Sequence, residues 1–324
     1  MASKLWIVPQ LKEGALPLAG RETIAAGQQL AADLGLEAEI VLVGESVGAA
    51  AQAAAGYEVA AVRTVEAPAL AAYTPGAWIG ALGQAVRAQA PAYLLFPHSY
   101  QTVDFAPRLA QELGAALVPE AISFRLQAGE LFFRRPILGG KLVAEVRVKG
   151  EGLVVVSLQA GAFSADGARA GSADVSPLPI ERGALVPDRE ILRVEAAAAD
   201  HVDLSQAPVI VAVGRGIGGP ERMGPVEQLA QALGAELGAS RPVIDSGWLP
   251  RDRQIGSSGQ TVAPRLYMAL GISGAIQHLV GMKGSQVVVA INKDRNAPIF
   301  SVARYGVVGD VHEILPPLIE ALRD

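Results

Sequence analysis

The 324-residue chain has no cysteine. Disulfides, thiolate nucleophiles and cysteine-held zinc or iron–sulfur centres are thereby excluded. Aromatic residues make up only 5%, so alanine and branched aliphatics must fill the interior. Asparagine occurs only at Asn292 and Asn296, and Arg far outnumbers Lys. Few Asn, no Cys and 21 Pro fit a thermophile, and a GC-rich genome explains the same bias. There is no excess of basic charge: the net −5 offers no field for nucleic acid or anionic lipid. Mean hydropathy is positive, at +0.32, yet no uncharged apolar run reaches the ~18 residues a membrane span needs. The apolar run near Met1, Leu5-Trp-Ile-Val8, is too short for a signal peptide. The expectation is a cytoplasmic protein with no direct membrane insertion. No His/Asp/Glu set has metal-ligand spacing, and neither a P-loop lysine motif nor a G-x-S-x-G elbow is present.

What is present is alternation. Leu5–Val8, Glu39–Val43, Val59–Thr64 and Ala92–Phe96 read as strands, and Glu22–Leu34, Val47–Ala55, Pro75–Gln89 and Asp104–Leu113 as helices. Strand–helix alternation predicts a parallel sheet covered on both faces. The shorter runs Ala121–Leu126, Leu131–Pro136, Lys141–Val148 and Leu153–Leu158, punctuated by glycine turns, predict an antiparallel part. From Phe163 to Ala207 the pattern fades into a linker with one crossing strand, Glu190–Glu195. A second alternation starts at Pro208: strands at Val209–Val213, Arg241–Ile244, Leu266–Leu270, Val287–Ile291 and Pro298–Val302, helices at Val226–Leu237 and Asp310–Leu322, the latter interrupted at Pro316-Pro317. The fold expectation is α/β with two domains, 1–195 and 196–324. Each has a largely parallel sheet flanked by helices, the second being Rossmann-like.

Three segments of the second domain could carry chemistry. Gly214-Arg-Gly-Ile-Gly-Gly219 matches G-x-G-x-x-G between a strand and a helix. A nicotinamide site also wants an acid about 20 residues on, at a strand end; Glu236 falls in a stretch read as helix and Asp245 is too distant. The match is equally that of a plain tight turn, with Arg215 favouring an anion. Leu266-Tyr-Met-Ala-Leu-Gly-Ile-Ser-Gly274 reads as a strand and a turn feeding a helix from Ser273, where free N–H groups can seat a phosphate. His278 follows on that helix. Gln254-Ile-Gly-Ser-Ser-Gly259 is a hydroxyl-rich loop, and Arg241 opens a strand beside the expected cleft. Asp104 and Arg108 are i, i+4 neighbours and read as a surface ion pair.

The run from Val262 to His278, with Gly281-Met282, Ala290-Ile-Asn-Lys-Asp294, Ala297-Pro-Ile-Phe300 and Tyr305-Gly-Val-Val-Gly-Asp310, closely resembles the alpha subunit of electron transfer flavoprotein. Ala106-Pro-Arg-Leu-Ala110 and Arg135-Pro-Ile-Leu-Gly-Gly140 extend the resemblance to the first half. It implies a heterodimer with a beta subunit, FAD in the carboxyl-terminal domain of this chain, and AMP in the beta subunit. It implies a redox carrier without its own small-molecule substrate, taking electrons from flavin dehydrogenases such as acyl-CoA dehydrogenases and delivering them to a membrane quinone oxidoreductase.

Carried over by motif, Arg215 and Ser273, Gly274, Ala275, Ile276, Gln277 and His278 would hold the pyrophosphate and neighbouring groups. Arg241 would lie over the ring beside Ser240, and Ile255, Gly256, Ser257 and Ser258 would line it, with Ser258 toward N5. His278 would approach O2. Asn292, Asp310 and Val311 would hold the adenosine end. The chain has Ser258 where the family often has Thr, and Arg304 where it usually has Asp. The alternatives are an electron-bifurcating member of the family, a nicotinamide-dependent dehydrogenase, and a cofactor-free interaction subunit.

Overall fold

The computed structural model describes residues 3–138, 142–193 and 202–322. The chain divides into two compact units, Met1–Glu195 and Ala196–Asp324.

In the first unit, strand and helix alternate through β1 (Lys4–Ile7), α1 (Leu18–Leu34), β2 (Glu37–Gly44), α2 (Gly48–Ala54), β3 (Ala61–Glu66), α3 (Pro75–Gln89), β4 (Tyr93–Pro97) and α4 (Tyr100–Leu113). There follow β5 (Ala116–Ala121), β6 (Ser123–Gln127), β7 (Glu130–Ile137), β8 (Leu142–Val146), β9 (Val154–Leu158) and β10 (Val175–Pro177). Seven strands form one parallel sheet in the order β10-β3-β2-β1-β4-β9-β5. Alternate residues of β1 and the Val8 that follows it face opposite ways: Trp6 and Val8 join Trp78, Leu82 and Phe105 of α3 and α4, while Leu5 and Ile7 join Ile24 and Leu30 of α1. Both faces are therefore core, as parallel sheets require. α1 ends at Gly35 in the left-handed region, whose N–H closes on Ala31 and Ala32, a stop that a Cβ would strain.

The antiparallel part is narrower than expected. Among the described strands, β6, β7 and β8 alone pair antiparallel. Leu153–Leu158 instead lies parallel between β4 and β5, with β9 buried along its whole length; an unbroken Val-Val-Val run suits a strand covered on both faces rather than a hairpin. The expected strand Ala121–Leu126 straddles the break between β5, parallel, and β6, antiparallel.

The Phe163–Ala207 stretch is also more ordered than a linker over much of its length. Val175–Pro177 adds an edge strand to β3. Gly161 N–H donates to Glu22 (2.9 Å) and Arg169 N–H to Gln28 (2.7 Å), both on α1. No strand forms over Glu190–Arg193, and residues 194–195 lie outside those described. Arg108 pairs with Asp188 (2.9 Å) rather than with Asp104, which accepts from the Tyr73 hydroxyl (3.0 Å).

The second unit runs β11 (Val209–Val213), α5 (Gly224–Leu233), β12 (Glu236–Ser240), α6 (Arg241–Asp245), β13 (Gln254–Ile255), β14 (Leu266–Leu270), α7 (Ile276–Val280), β15 (Val287–Asn292), β16 (Tyr305–Val308) and α8 (Val311–Ala321). Its six parallel strands are ordered β13-β12-β11-β14-β15-β16. Counted along the unit this is 3-2-1-4-5-6, the order of doubly wound dinucleotide-binding sheets, with its reversal between β11 and β14.

Three elements differ from expectation. Glu236–Ser240 is strand, and Arg241 begins a helix, because Pro242 at its first turn supplies the helical φ and needs no donor. Pro298–Ser301 is a 3₁₀ turn, and the edge strand is Tyr305–Val308. α8 passes through Pro316-Pro317 without a break.

Candidate functional site

A cavity of about 650 Å³ opens at the carboxyl ends of β11, β12, β14 and β15, where the strand order reverses and such sheets bind ligands. Its size is that of a cofactor site. The β11 and β14 exit loops lie against each other there, and their glycines form the floor. A Cβ on Gly214 would come 2.2 Å from the Gly271 carbonyl oxygen, and one on Gly216 would come 2.7 Å from Gly271 Cα. These glycines let two backbones touch, a packing reason for the Gly-x-Gly pattern beyond any phosphate. His312 secures the turn from α8, its Nε2 lying 2.8 Å from the Ile217 carbonyl.

Of the sequence-predicted residues, Arg215, Ser240, Arg241, Ile255, Gly256, Ser257 and Ser258 line the cavity from the β11, β12 and β13 side. Ser273, Ala275, Gln277, His278 and Asn292 line it from the β14 and β15 side. Four others lie off it. Gly274, at φ +82°, is pressed against the Pro298–Ile299 backbone. Ile276 is half exposed, and Val311 is buried among the packing residues of α8. Asp310 caps α8 through His312 N–H (2.9 Å) and pairs with Lys293 (2.9 Å); the Lys293 hydrogen bond, with the His312 N–H, holds its carboxyl below the usual range. Pro242, Asp245, Gly271, Ile272, Asp294, Ala297 and Pro298 also line the cavity. Their position near strand ends was the available signal; apart from Asp245 and Asp294 they are small or apolar, and the wrong boundary for β12 hid Pro242 and Asp245.

The helix expected from Ser273 begins only at Ile276 and is a single turn. Its entry is fixed by the Asn292 amide, which donates to the Ile272 carbonyl (2.8 Å) and accepts from Asp294 N–H (2.9 Å). Asn292 thus ties two loops of the wall together. The Ser257 N–H donates to the Gln277 carbonyl (2.7 Å), joining the hydroxyl loop to α7. Ser258 Oγ accepts from Gln254 (2.9 Å).

The charged groups lining the cavity are Arg215, Arg241, Asp245 and Asp294. Arg215 is exposed, and Arg241 is exposed with its Nε 3.3 Å from Asp245, a pairing one helical turn long. His278 is 6% exposed. Burial lowers its pKa to about 4, with the Ile255 backbone acting in the opposite sense, so the ring is neutral at pH 7. Nε2 lies 2.8 Å from the Tyr267 hydroxyl, while Nδ1 is buried with no group in hydrogen-bond geometry. A buried polar atom without a partner is uncommon. With Asp245 paired to Arg241 and Asp294 held by the Asn296 N–H, a cavity lined by neutral donors, hydroxyls and the Arg215 guanidinium suits a polar, anionic ligand with acceptor atoms. The end of β12, where a nicotinamide site places its acid, carries Ser240 and Arg241 instead. Among the described residues no group of His, Asp and Glu could hold a metal ion, and no helix is long and apolar enough to cross a membrane.

Comparison with known proteins matches residues 4–182 to the electron transfer flavoprotein domain and residues 203–283 to the electron transfer flavoprotein FAD-binding domain. Electron transfer flavoprotein subunit alpha of Bacillus subtilis is 36% identical, over 100% of this chain and 98% of its own. The Syntrophomonas wolfei protein of the same name is 37% identical, over 98% of each. The acryloyl-CoA reductase electron transfer subunit beta of Anaerotignum propionicum is 32% identical, over 99% of this chain and 95% of its own. With a polar cavity at the reversal point of its second sheet and these matches along its length, the chain belongs to the electron transfer flavoprotein alpha-subunit family.

Proposed function

We propose that this chain is the FAD-carrying half of a two-chain electron shuttle. It pairs with a beta subunit that holds AMP, accepts electrons from flavin dehydrogenases such as acyl-CoA dehydrogenases, and passes them to a membrane quinone oxidoreductase. The observation that carries the reading is the cavity itself. It offers cationic and neutral hydrogen-bonding groups, and among its lining residues the carboxylates are Asp245, paired with Arg241, and Asp294, bound to the Asn296 N–H. Bound FAD supplies reversible one- and two-electron chemistry, and the protein's part is to position it and set its potential. Arg215 would neutralise phosphate charge. Arg241 would favour negative charge on the ring, and Ser257 and Ser258 would offer hydroxyl donors beside it. His278, buried and neutral, would offer a hydrogen bond without adding charge.

The name of the Anaerotignum propionicum relative favours a second reading, in which the donor or acceptor is a dedicated acyl-CoA reductase; an electron-bifurcating assembly is a further form of the same family reading. One experiment bears on both. Co-expressed with its beta subunit, the chain should purify as a 1:1 complex releasing one FAD on denaturation. Two FAD per complex would favour bifurcation, and none would sink the shuttle.

A further inference from the structure

The cavity's buried histidine is held by a residue with no contact to the cavity. Tyr267 sits in the middle of β14, fully buried, with its hydroxyl 2.8 Å from His278 Nε2. No other described side chain or backbone group is seen bonded to that hydroxyl. Two arrangements are open to a neutral ring. If Nε2 carries the proton, the tyrosine oxygen accepts it, and its own hydrogen is buried with nothing to receive it. The Nδ1 lone pair is then stranded as well. If instead the tyrosine donates to Nε2, the ring proton sits on Nδ1, near the Ile255 backbone but outside hydrogen-bond geometry, and only that N–H lacks a full partner. Each stranded buried group is costly, so the second arrangement is favoured. In it, the single orphan left is a donor, which an acceptor oxygen of a ligand can satisfy.

We propose that Tyr267 is a positioning residue: it donates its hydroxyl hydrogen to Nε2 of His278 and fixes the proton on Nδ1, so that His278 meets the cofactor as an Nδ1–H donor. The final clause rests on the flavin reading above; the tautomer itself does not. A phenol suits the task because burial holds its own proton on more firmly. A carboxylate in its place would draw a second proton to the ring. Tyr267 thus gives the imidazole a direction without giving it a charge.

The test is the histidine tautomer, read by long-range proton–nitrogen correlation on the full chain co-purified with its partner and labelled with ¹⁵N-histidine. Four histidines make the spectrum tractable, and His278→Gln assigns the signal. Wild type should show the Nδ1–H form, both with its flavin and after flavin removal. Tyr267→Phe should lower the ratio of Nδ1–H to Nε2–H by about fivefold or more, the effect of losing one hydrogen bond. Rebinding FAD should move the wild-type Nδ1 resonance. An Nε2–H ring in wild type, or an unchanged ratio in Tyr267→Phe, overturns the proposal. If that variant folds poorly, the wild-type spectrum still decides. A protein that purifies without flavin but obeys Tyr267 would refute the shuttle and leave the tautomer control standing, whereas an Nδ1 signal indifferent to FAD would refute the cofactor contact alone.

Discussion

Two buried glutamates in the first unit show how neighbours decide the behaviour of a carboxyl. Glu39 is 2% exposed. Burial alone would raise its pKa, but hydrogen bonds from Arg63, Trp6 and Lys4, with the Arg63 charge, hold it below the usual range. Glu22 has little more than the Gly161 N–H and the charge of Arg21, so burial wins and pushes it up to about 7. The unfolded chain loses the Glu22 proton near its ordinary pKa, while the folded chain keeps it to about 7, so stability is lost as pH rises between the two. Glu22→Gln should therefore be more stable than wild type at pH 8, on the order of 2–3 kcal/mol, and no different at pH 4. Urea melts at both values check this. At the cavity, Arg241→Ala should lower the flavin potential by on the order of 60–130 mV with the fold intact. A spectroelectrochemical titration within about 20 mV of wild type, small against the 59 mV of a tenfold one-electron change, would make Arg241 a plain surface charge.

At the level of elements, one buried side chain ties the start of the segment that reads as linker to α1 and the chain before β3. Gln28, 1% exposed on α1, donates to the carbonyls of Glu58 (3.0 Å) and Arg169 (2.9 Å) and accepts from Arg169 N–H. Gln28→Ala should cost about 3 kcal/mol and expose residues 161–169 to hydrogen exchange before the rest of the unit. Uniform exchange would show that other contacts hold the segment. No local pattern announces such a bond, since its partners lie 141 residues apart. The same limit governed the other elements. Strands covered on both faces were legible as apolar runs, as with Val209–Val213, but whether β9 ran parallel or in a hairpin depended on neighbours distant in sequence. The strand was expected at Arg241–Ile244, because Val243-Ile244 is apolar and β-branched, whereas Pro242 in the first turn starts a helix there. Most of the cavity wall could be named from the motif, because it lies at strand ends beside glycine and serine. Asp310 and Val311 could not be placed, because capping and packing use the same residue types as ligand contacts.

For the molecule as a whole, the prediction concerns assembly. Much of the charge at the cavity rim, Arg215 and Arg241 included, is exposed in this chain by itself. Expressed alone, the chain should bind FAD weakly, and co-expression with the beta subunit should give a complex that holds FAD through gel filtration. A stable, flavin-saturated monomer in sedimentation analysis would contradict this. The floor of the same cavity behaves otherwise, because Gly214, Gly216 and Gly271 meet backbone to backbone. No rotamer can adjust there, because the atoms a Cβ would meet are backbone. In a saturation map of the chain these three positions should reject even alanine, while Arg215 between them accepts many residues at the cost of binding alone. Any redesign of what the cavity holds must therefore be written in its rim, since its floor has only one spelling.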